Sequence, residues 1–296
     1  MGLPLPAGLE IVIGRRVPGT LYVAATPIGN LEDLAPRALR VLSSVACVAC
    51  EDTRRTRKLL DRFGVRTTTL SCHKFNERER LDRVLAILLD GRDVALVSDG
   101  GTPGISDPGA LLVRAALAQG VRVSPLPGAS APAALLSASG ETSSRFLFEG
   151  FLPHRAGERR RRLRELRDFA DPIVMFESPR RIRETLKDLG EILEHREIVL
   201  GRELTKIHET IVRGTPQQVL ESLGERVLGE IALVVAAAGR RAAPRDAAAA
   251  RVVEPWKESL ERSGGDRREA LKDCARRLGM KRAELYRLLA ELGEAD

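Results

Sequence analysis

Leu21-Tyr22-Val23-Ala24-Ala25-Thr26-Pro27-Ile28-Gly29-Asn30 is an apolar run that stops at a tight loop containing Pro and Gly, and a helical pattern begins at once behind it. Leu31, Leu34, Ala35, Ala38, Leu39 and Leu42 recur at the three- and four-residue spacing of one helix face, which predicts a helix over 31–42. Asn30 stands where an N-cap belongs, and Asp33 falls in the first turn. The unit strand, loop, helix then repeats. Residues 45–50 are a second apolar run, closed by Glu51-Asp52 and followed by a basic helix over 54–60. Residues 67–70 read as a weaker strand, 77–89 as an amphipathic helix, and 94–97 as a buried strand. That strand opens into Ser98-Asp99-Gly100-Gly101-Thr102-Pro103-Gly104-Ile105-Ser106-Asp107-Pro108-Gly109, where Asp107 is expected to cap the next helix and Pro108 to take its first position. Residues 121–123 open another strand, and Pro127-Gly128-Ala129-Ser130 leads into a short Ala-rich helix. Strands alternating with helices imply a parallel sheet covered on both faces.

Around Gly140 the pattern changes. Residues 146–151, 173–176, 198–200 and 231–236 read as strands with helices between them, a second α/β domain. Three helical stretches follow a linker rich in Ala, Arg and Pro: 252–261, 267–278 and 282–292. The last two flank Gly279 in a helix-turn-helix-like pattern. The expected organisation is an N-terminal tail (1–19), an N-terminal α/β domain (20–138), a C-terminal α/β domain (139–240), and a linker with a helical tail (241–296).

A chain of 296 residues has room for two domains. Hydrophobic residues make up 43% and aromatics only 3%, so the cores must be built from Leu, Val, Ile and Ala. So few rings also argue against RNA binding by base stacking on an exposed sheet. The net charge of +7 favours a polyanionic partner, chiefly nucleic acid. Four cysteines are too few for a disulfide scaffold and point to a reducing compartment. Cys47 and Cys50 have a metal-like spacing but lie in a strand, where residues three apart face opposite ways, so no metal is expected. No apolar run reaches the roughly 20 residues of a membrane span, and the first residues have no signal-peptide core, so the expected location is the cytoplasm, away from the membrane.

Open parallel sheets bind ligands beyond the carboxyl ends of their strands. Four strands here end in acids or glycine turns: Glu51-Asp52, Asp99-Gly100-Gly101, Glu177 and Glu203. Glycines after Asp99 let the backbone approach a ligand closely. The bland alternative is that Asp52 and Asp99 cap turns and helices. There is no Walker lysine motif, strict G-x-G-x-x-G, G-x-S-x-G elbow or H-E-x-x-H, so triphosphate, dinucleotide, hydrolase and metalloenzyme readings lack support. The basic residues cluster instead. Seven arginines fall between 154 and 167, among them Arg159, Arg160, Arg161 and Arg162, offset only by Glu158 and Glu165. Arg54, Arg55, Arg57 and Lys58 form a second patch beside Asp52, and Arg180, Arg181 and Arg183 a third beside Glu177. Guanidinium groups bind phosphate well, so a polyanion crossing the cleft is expected.

With these motifs in view the chain resembles a known family. Ala25-Thr26-Pro27-Ile28-Gly29-Asn30, Cys50-Glu51-Asp52-Thr53-Arg54, the 98–109 loop, Pro125-Leu126-Pro127-Gly128-Ala129-Ser130, Phe176-Glu177-Ser178-Pro179-Arg180 and Arg202-Glu203-Leu204-Thr205-Lys206 together look like the ribosomal RNA small subunit methyltransferase I branch of the tetrapyrrole methylase superfamily. The resemblance covers about residues 20–292. It implies two α/β domains with S-adenosylmethionine (SAM) in the cleft between them, and a homodimer. It also implies methyl transfer to the 2′-hydroxyl of a cytidine in the decoding region of small-subunit ribosomal RNA, free or in the assembled subunit. By position in the motifs it implies SAM contacts at Pro27, at Asp99, Gly100, Gly101, Thr102 and Ile105, at Ser130 and Ala131, and at Met175 and Phe176. Pigment-making members of the superfamily have a Gly-rich first loop where this chain has Thr26-Pro27-Ile28-Gly29-Asn30, which suits the RNA branch.

A ribose hydroxyl is a poor nucleophile until its proton leaves, so a base near the methyl donor would help. Asp52, Glu177, Glu203 and a neutral Lys206 are candidates, and the choice among them stays open; Lys206 would need a lowered pKa. Positioning alone is a further possibility. Asn76 and Arg180 are assigned to substrate positioning, with Arg54 and Arg159 to Arg162 on the phosphates. Competing readings are a tetrapyrrole methylase, a non-catalytic RNA-binding assembly protein, and a protein methylase of the diphthamide type.

Overall fold

The structure, a computed structural model, describes residues 17–72, 77–238 and 245–291. In chain order the first half runs β1 (Thr20–Ala24), α1 (Pro36–Ser44), β2 (Cys47–Cys50), α2 (Thr53–Arg62), β3 (Thr69–Ser71), α3 (Glu77–Leu89), β4 (Val94–Val97), α4 (Ala110–Ala118), β5 (Arg122–Leu126) and α5 (Ala131–Ala138). The second half runs β6 (Leu147–Phe151), α6 (Ala156–Glu165), β7 (Ile173–Glu177), α7 (Ile182–Ile192), β8 (Ile198–Arg202), β9 (Thr210–Gly214), α8 (Pro216–Ser222) and β10 (Ile231–Val235). Three helices follow: α9 (Arg245–Arg262), α10 (Arg267–Leu278) and α11 (Arg282–Glu291).

The first sheet is parallel throughout, in the order β3-β2-β4-β1-β5. Its inner strands β2 and β4 are buried along their whole length, because helices cover both faces. Cys47 and Cys50 are buried members of β2, and all four cysteines are free thiols. The second sheet has the order β6-β7-β10-β8-β9 and is mixed. β6 and β7 are parallel, but β10 runs antiparallel to both β7 and β8, and β9 antiparallel to β8. β9 is a strand that the hydropathy pattern does not reveal: its residues alternate between part-buried and exposed at the sheet edge. α5 packs through Leu135 against Val174, Val199 and Val234 of the second sheet, so the helix that follows the first sheet is part of the second sheet's core.

Two local expectations are corrected. The helix predicted over 31–42 is broken. Asn30 does accept from the Glu32 amide, but it caps only a 3-10 turn, Leu31–Asp33. Pro36 has no N–H to continue the ladder and takes the first turn of a new helix, α1. Asp107 caps nothing. α4 begins at Ala110 behind Gly109, which has φ 122° and no side-chain cap bond, and that turn leaves Asp107 in the loop.

The chain divides into two compact units, Met1–Ala238 and Gly239–Asp296. In the second unit Val252, Trp256, Ala270, Cys274, Leu285 and Leu289 make a small core. Asp266 caps α10, and Gly279 ends it in the left-handed conformation (φ 66°) that glycine adopts without cost. No helix among the described residues is long and apolar enough to cross a membrane.

Candidate active site

The loops behind β1 and β4 are stapled together. Thr26 and Gly101 exchange backbone hydrogen bonds of 2.9 Å in both directions, and Thr26 Oγ1 donates to Ser98 O at 3.1 Å. β1 and β4 are neighbours, yet β1 leads to β2 on one side of the pair and β4 to β5 on the other. Such a switch point is where open sheets place ligands. The β4 loop follows a constrained path, with positive φ at Gly101 (86°), Gly104 (83°), Ser106 (63°) and Gly109 (122°). Ser106 has a Cβ, so its conformation stores strain that the surrounding packing must hold.

A cavity of about 410 Å³ opens over these loops. Pro27, Ile28, the turn from Asp99 to Thr102, and Ile105 to Asp107 form one wall, and Ser130, Ala131 and Pro132 at the start of α5 form the end. The second sheet supplies the other wall with Phe151, Phe176, Glu177, Gly201 and Leu204, joined by Glu230, Ile231 and Ala232. The last three lie at the start of a strand. Ile231 pairs with both Glu177 and Arg202, so antiparallel β10 brings its first residues to the rim where β7 and β8 end. The Phe176 ring centroid lies 5.4 Å from those of Phe148 and Phe151, giving that wall an apolar face.

The four acid–base candidates are all engaged. Asp52 caps α2, accepting from the Arg54 amide at 2.8 Å and from its guanidinium at 3.2 and 3.0 Å. The Arg54 side chain, then its backbone N–H, holds the Asp52 carboxyl at about 2. Asp99 accepts from the Asp52 amide at 3.1 Å and lies 3.4 Å from Arg55, so the two acids and two arginines are one network at the mouth of the cavity. Glu177 accepts from Thr185 Oγ1 at 2.6 Å and the Ser178 amide at 2.7 Å, with Arg181 at 3.3 Å, and its side chain has no exposed surface. Glu203 (φ 53°) accepts from Lys206 at 2.8 Å and the Glu230 amide at 2.9 Å, and those two bonds, Lys206 first, lower its pKa. Desolvation draws the Lys206 ammonium down, but its bonds to Glu203 and to Glu230 (3.1 Å) outweigh it, and the pKa stands above the ordinary lysine value. A neutral Lys206 acting as base is therefore corrected: two carboxylates hold its proton.

Residues 20–220 match the family of Tetrapyrrole (Corrin/Porphyrin) Methylases. The chain is 41% identical to a ribosomal RNA small subunit methyltransferase I from Mesorhizobium japonicum, covering 98% of this chain and 99% of that one. It is 44% identical to one from Xylella fastidiosa (strain Temecula1), with 91% and 98% covered. The chain belongs to the ribosomal RNA small subunit methyltransferase I family of tetrapyrrole methylases. Among solved structures, diphthine synthase shares the fold at TM-score 0.58 and 15% identity, covering 74% of this chain and 90% of that one. A Thermus thermophilus uroporphyrin-III C-methyltransferase complexed with S-adenosylhomocysteine does so at 0.52 and 20%, with 73% and 97% covered.

In this methylase, nine of the ten residues matched to SAM line one cavity: Pro27, Asp99, Gly100, Gly101, Thr102, Ile105, Ser130, Ala131 and Phe176. Met175 does not. Neighbours on a strand face opposite ways, and its side chain is fully buried in the core between β7 and α7. The arginines of α6 are redirected as well. Arg159 is 2% exposed and bonded to Asp188 at 2.7 Å and Glu184 at 3.4 Å, so the methylase uses it inside the fold and it cannot meet a phosphate. Arg160 is paired with Asp188 and Glu191, and Arg162 with Glu149 and Glu165. Arg161, 74% exposed and 4.0 Å from Glu165, and Arg164 keep an open face. Arg181 and Arg183 donate to backbone carbonyls of their own surroundings, while Arg54 and Arg180 are exposed. Asn76 lies outside the described residues. Among the described residues no three His, Cys, Asp or Glu side chains group as a metal site.

The sequence reading missed two parts of the cavity. Glu230 to Ala232 escaped it because a rule about strand carboxyl ends cannot find the beginning of a reversed strand. Asp107 escaped it because it was assigned to a cap. The Gly104-Ile105-Ser106 turn before it was the available signal.

Proposed function

We propose that this methyltransferase transfers the methyl group of SAM to the 2′-hydroxyl of a cytidine ribose in the decoding region of 16S ribosomal RNA. The observation that carries the reading is the single cavity around Asp99 and the two stapled loops, in a chain whose near full-length relatives are named for ribosomal RNA methylation.

The cavity suits SAM. Its volume falls within the roughly 300–1,000 Å³ of small-molecule sites. At Gly100 an added Cβ would come 3.3 Å from Pro27 O, and Gly101 has φ 86°, so both keep the backbone close to whatever occupies the space. Phe176, Leu204 and Ala232 offer apolar surface to the adenine, and Asp99 offers a carboxylate to the cofactor's hydroxyls or amine. When bound, SAM supplies an electrophilic methyl group on a cationic sulfur. The residues around it align the ribose oxygen with that methyl and exclude water.

A second trough of about 770 Å³, between Gly29-Asn30-Leu31-Glu32 and Thr205-Lys206-Ile207-His208, continues along the same loops. With Arg62 and Phe63 beside it, it suits the approach of an unstacked nucleotide. In this reading Arg54 and Arg180 meet phosphates, and the enzyme acts as a homodimer in the cytoplasm, on RNA within the assembled small subunit.

The test is transfer of radiolabelled methyl from SAM to small ribosomal subunits from a strain lacking this protein, beside free RNA and a porphyrinoid precursor. The expected result is label at one cytidine ribose, resistant to alkali; label only in the macrocycle, or none, overturns the reading. Sedimentation at the monomer mass would overturn the homodimer. Asp99→Ala should weaken SAM binding by about ten- to a hundredfold, the ~1.5–3 kcal/mol of a hydrogen bond to a charged group. Unchanged affinity by calorimetry would remove Asp99 from the cofactor site.

A further inference from the structure

We infer that the Asp107 carboxylate takes the proton from the ribose hydroxyl as it is methylated. This rests on the ribose methylation proposed above and names the residue that serves it. The cavity walls carry four carboxylates: Asp99, Asp107, Glu177 and Glu230. Three are committed. Asp99 is held by Arg55 and the Asp52 amide, Glu177 by Thr185, Ser178 and Arg181, and Glu230 by Lys206. Asp52 is paired with Arg54, and Glu203 with Lys206. Asp107 lines the cavity with no ion pair to a cation among the described residues.

Its position is built, not incidental. Ser106 beside it holds φ 63° against the usual preference of an L-residue, and Gly109 behind it packs so closely that an added Cβ would lie 2.8 Å from Leu96 Cδ2. A Cβ on Gly150 would lie 2.9 Å from Ser106 Oγ, so β6 presses on the same turn. Strained turns over-determined by their neighbours are how folds fix reactive groups. Burial raises the Asp107 carboxyl above the ordinary aspartate value; the Ser98 hydroxyl tempers the rise, and the nearby Asp99 charge adds to it. A base with a raised pKa accepts a proton more readily. The charged groups that share its cavity are Asp99 and Arg55 on one side and Glu177 and Glu230 on the other.

The step balances without a co-reactant. A lone pair of the ribose oxygen forms the bond to the methyl carbon while the carbon–sulfur bond breaks. That bond's electron pair stays on sulfur, which becomes a neutral thioether. The hydroxyl proton passes to an Asp107 Oδ and then to water.

The experiment uses the full chain with small subunits as substrate. Asp107→Asn should slow single-turnover methylation by about 10²-fold or more while SAM affinity by calorimetry stays within about threefold, and Asp107→Glu should recover part of the rate. The wild-type rate should fall below an acid limb that Asp107→Asn abolishes. Ser98→Ala, which removes the tempering hydroxyl, should move that limb to higher pH. In SAM-free protein with ¹³C-labelled aspartate, one carboxyl should titrate above the rest and vanish in Asp107→Asn. An equal rate in Asp107→Asn, an unmoved limb in Ser98→Ala, or loss of SAM affinity in step with activity would each overturn the assignment. A wild type that binds SAM but labels no RNA would fail the ribose reading itself.

Discussion

Two basic helices look alike in the sequence and do opposite things in the fold. α2 carries Arg54, Arg55, Arg57 and Lys58, and α6 carries Arg159, Arg160, Arg161, Arg162 and Arg164. On α6 three of the five turn to acids of the fold, while Arg161 and Arg164 face water. Arg159 is buried between Asp188 and Glu184 of α7, Arg160 shares Asp188, and Arg162 grips Glu149 of β6 with both arms at 2.6 and 2.8 Å. On α2 two turn outward: Arg54 is 87% exposed and Arg55 65%; of the acids they touch, Asp99 lines the cavity and Asp52 donates its amide to Asp99. A run of arginines thus has no function of its own; what it does depends on where the folded chain places acids. The partners of α6 lie 13 to 31 residues away in sequence, where a pattern read along one helix cannot see them.

The largest expected effect breaks the inward side of the comparison. Arg159→Ala opens a void beside buried Asp188 and leaves it only Arg160, so the loss approaches the roughly 3–5 kcal/mol of a broken buried pair from below. Arg161→Ala, one residue on, should stay within about 0.5 kcal/mol because its side chain is open to water. Urea unfolding of the two variants decides the matter. Similar midpoints would mean that the Arg159 network adds nothing to the fold.

The same contrast runs through what the sequence made legible. The first sheet could be read because every strand in it is parallel and each apolar run ends at a visible loop: Thr26 to Asn30, Asp52, and Asp99 to Gly109. Pro27, Asp99, Gly100, Gly101, Thr102 and Ile105 of the SAM-matched set lie on those loops, so the first-sheet wall of the cavity followed from them. The second sheet resisted because strand direction is not written in hydropathy. β10 is apolar along its whole length in either direction, and only pairing with β7 and β8 shows that its beginning, not its end, reaches the cavity. The acid–base candidates meet a related limit. Asp52, Glu177, Glu203 and Lys206 are conspicuous at strand ends, but each is occupied by a partner brought in by the fold.

A smaller effect sharpens the outward side. Arg54→Glu combined with Arg55→Glu should weaken RNA binding about tenfold at fixed salt and make log K less steep against log salt by about 2, one unit per lost phosphate contact. The fold should barely change, since both side chains face water. The matched control is Arg160→Gln, whose guanidinium already serves Asp188 and Glu191; it should leave the salt slope unaltered and lower the urea midpoint instead. Salt titrations of filter binding measure both. If the α6 variant changed the slope and the α2 variant did not, the assignment of the two helices would be reversed.

The smallest effect concerns the pH response of the outward network. Arg54 holds the Asp52 carboxyl at about 2, below the ordinary 3.8 of an unfolded aspartate. A depressed pKa in the folded state means that the unfolded chain binds the proton first as pH falls. The charged carboxylate therefore adds its full stability above pH 3.8, and the contribution drains away as pH falls towards 2. Asp52→Asn keeps a side chain able to cap α2 and removes only the charge. Its Tm should sit slightly below that of the wild type at pH 7, and the gap should close between pH 4 and 2. A gap that stayed constant through that window would mean that Asp52 acts on α2 as a hydrogen-bonding cap alone. The link from Arg54 through Asp52 to Asp99 would then carry no charge coupling to the cavity.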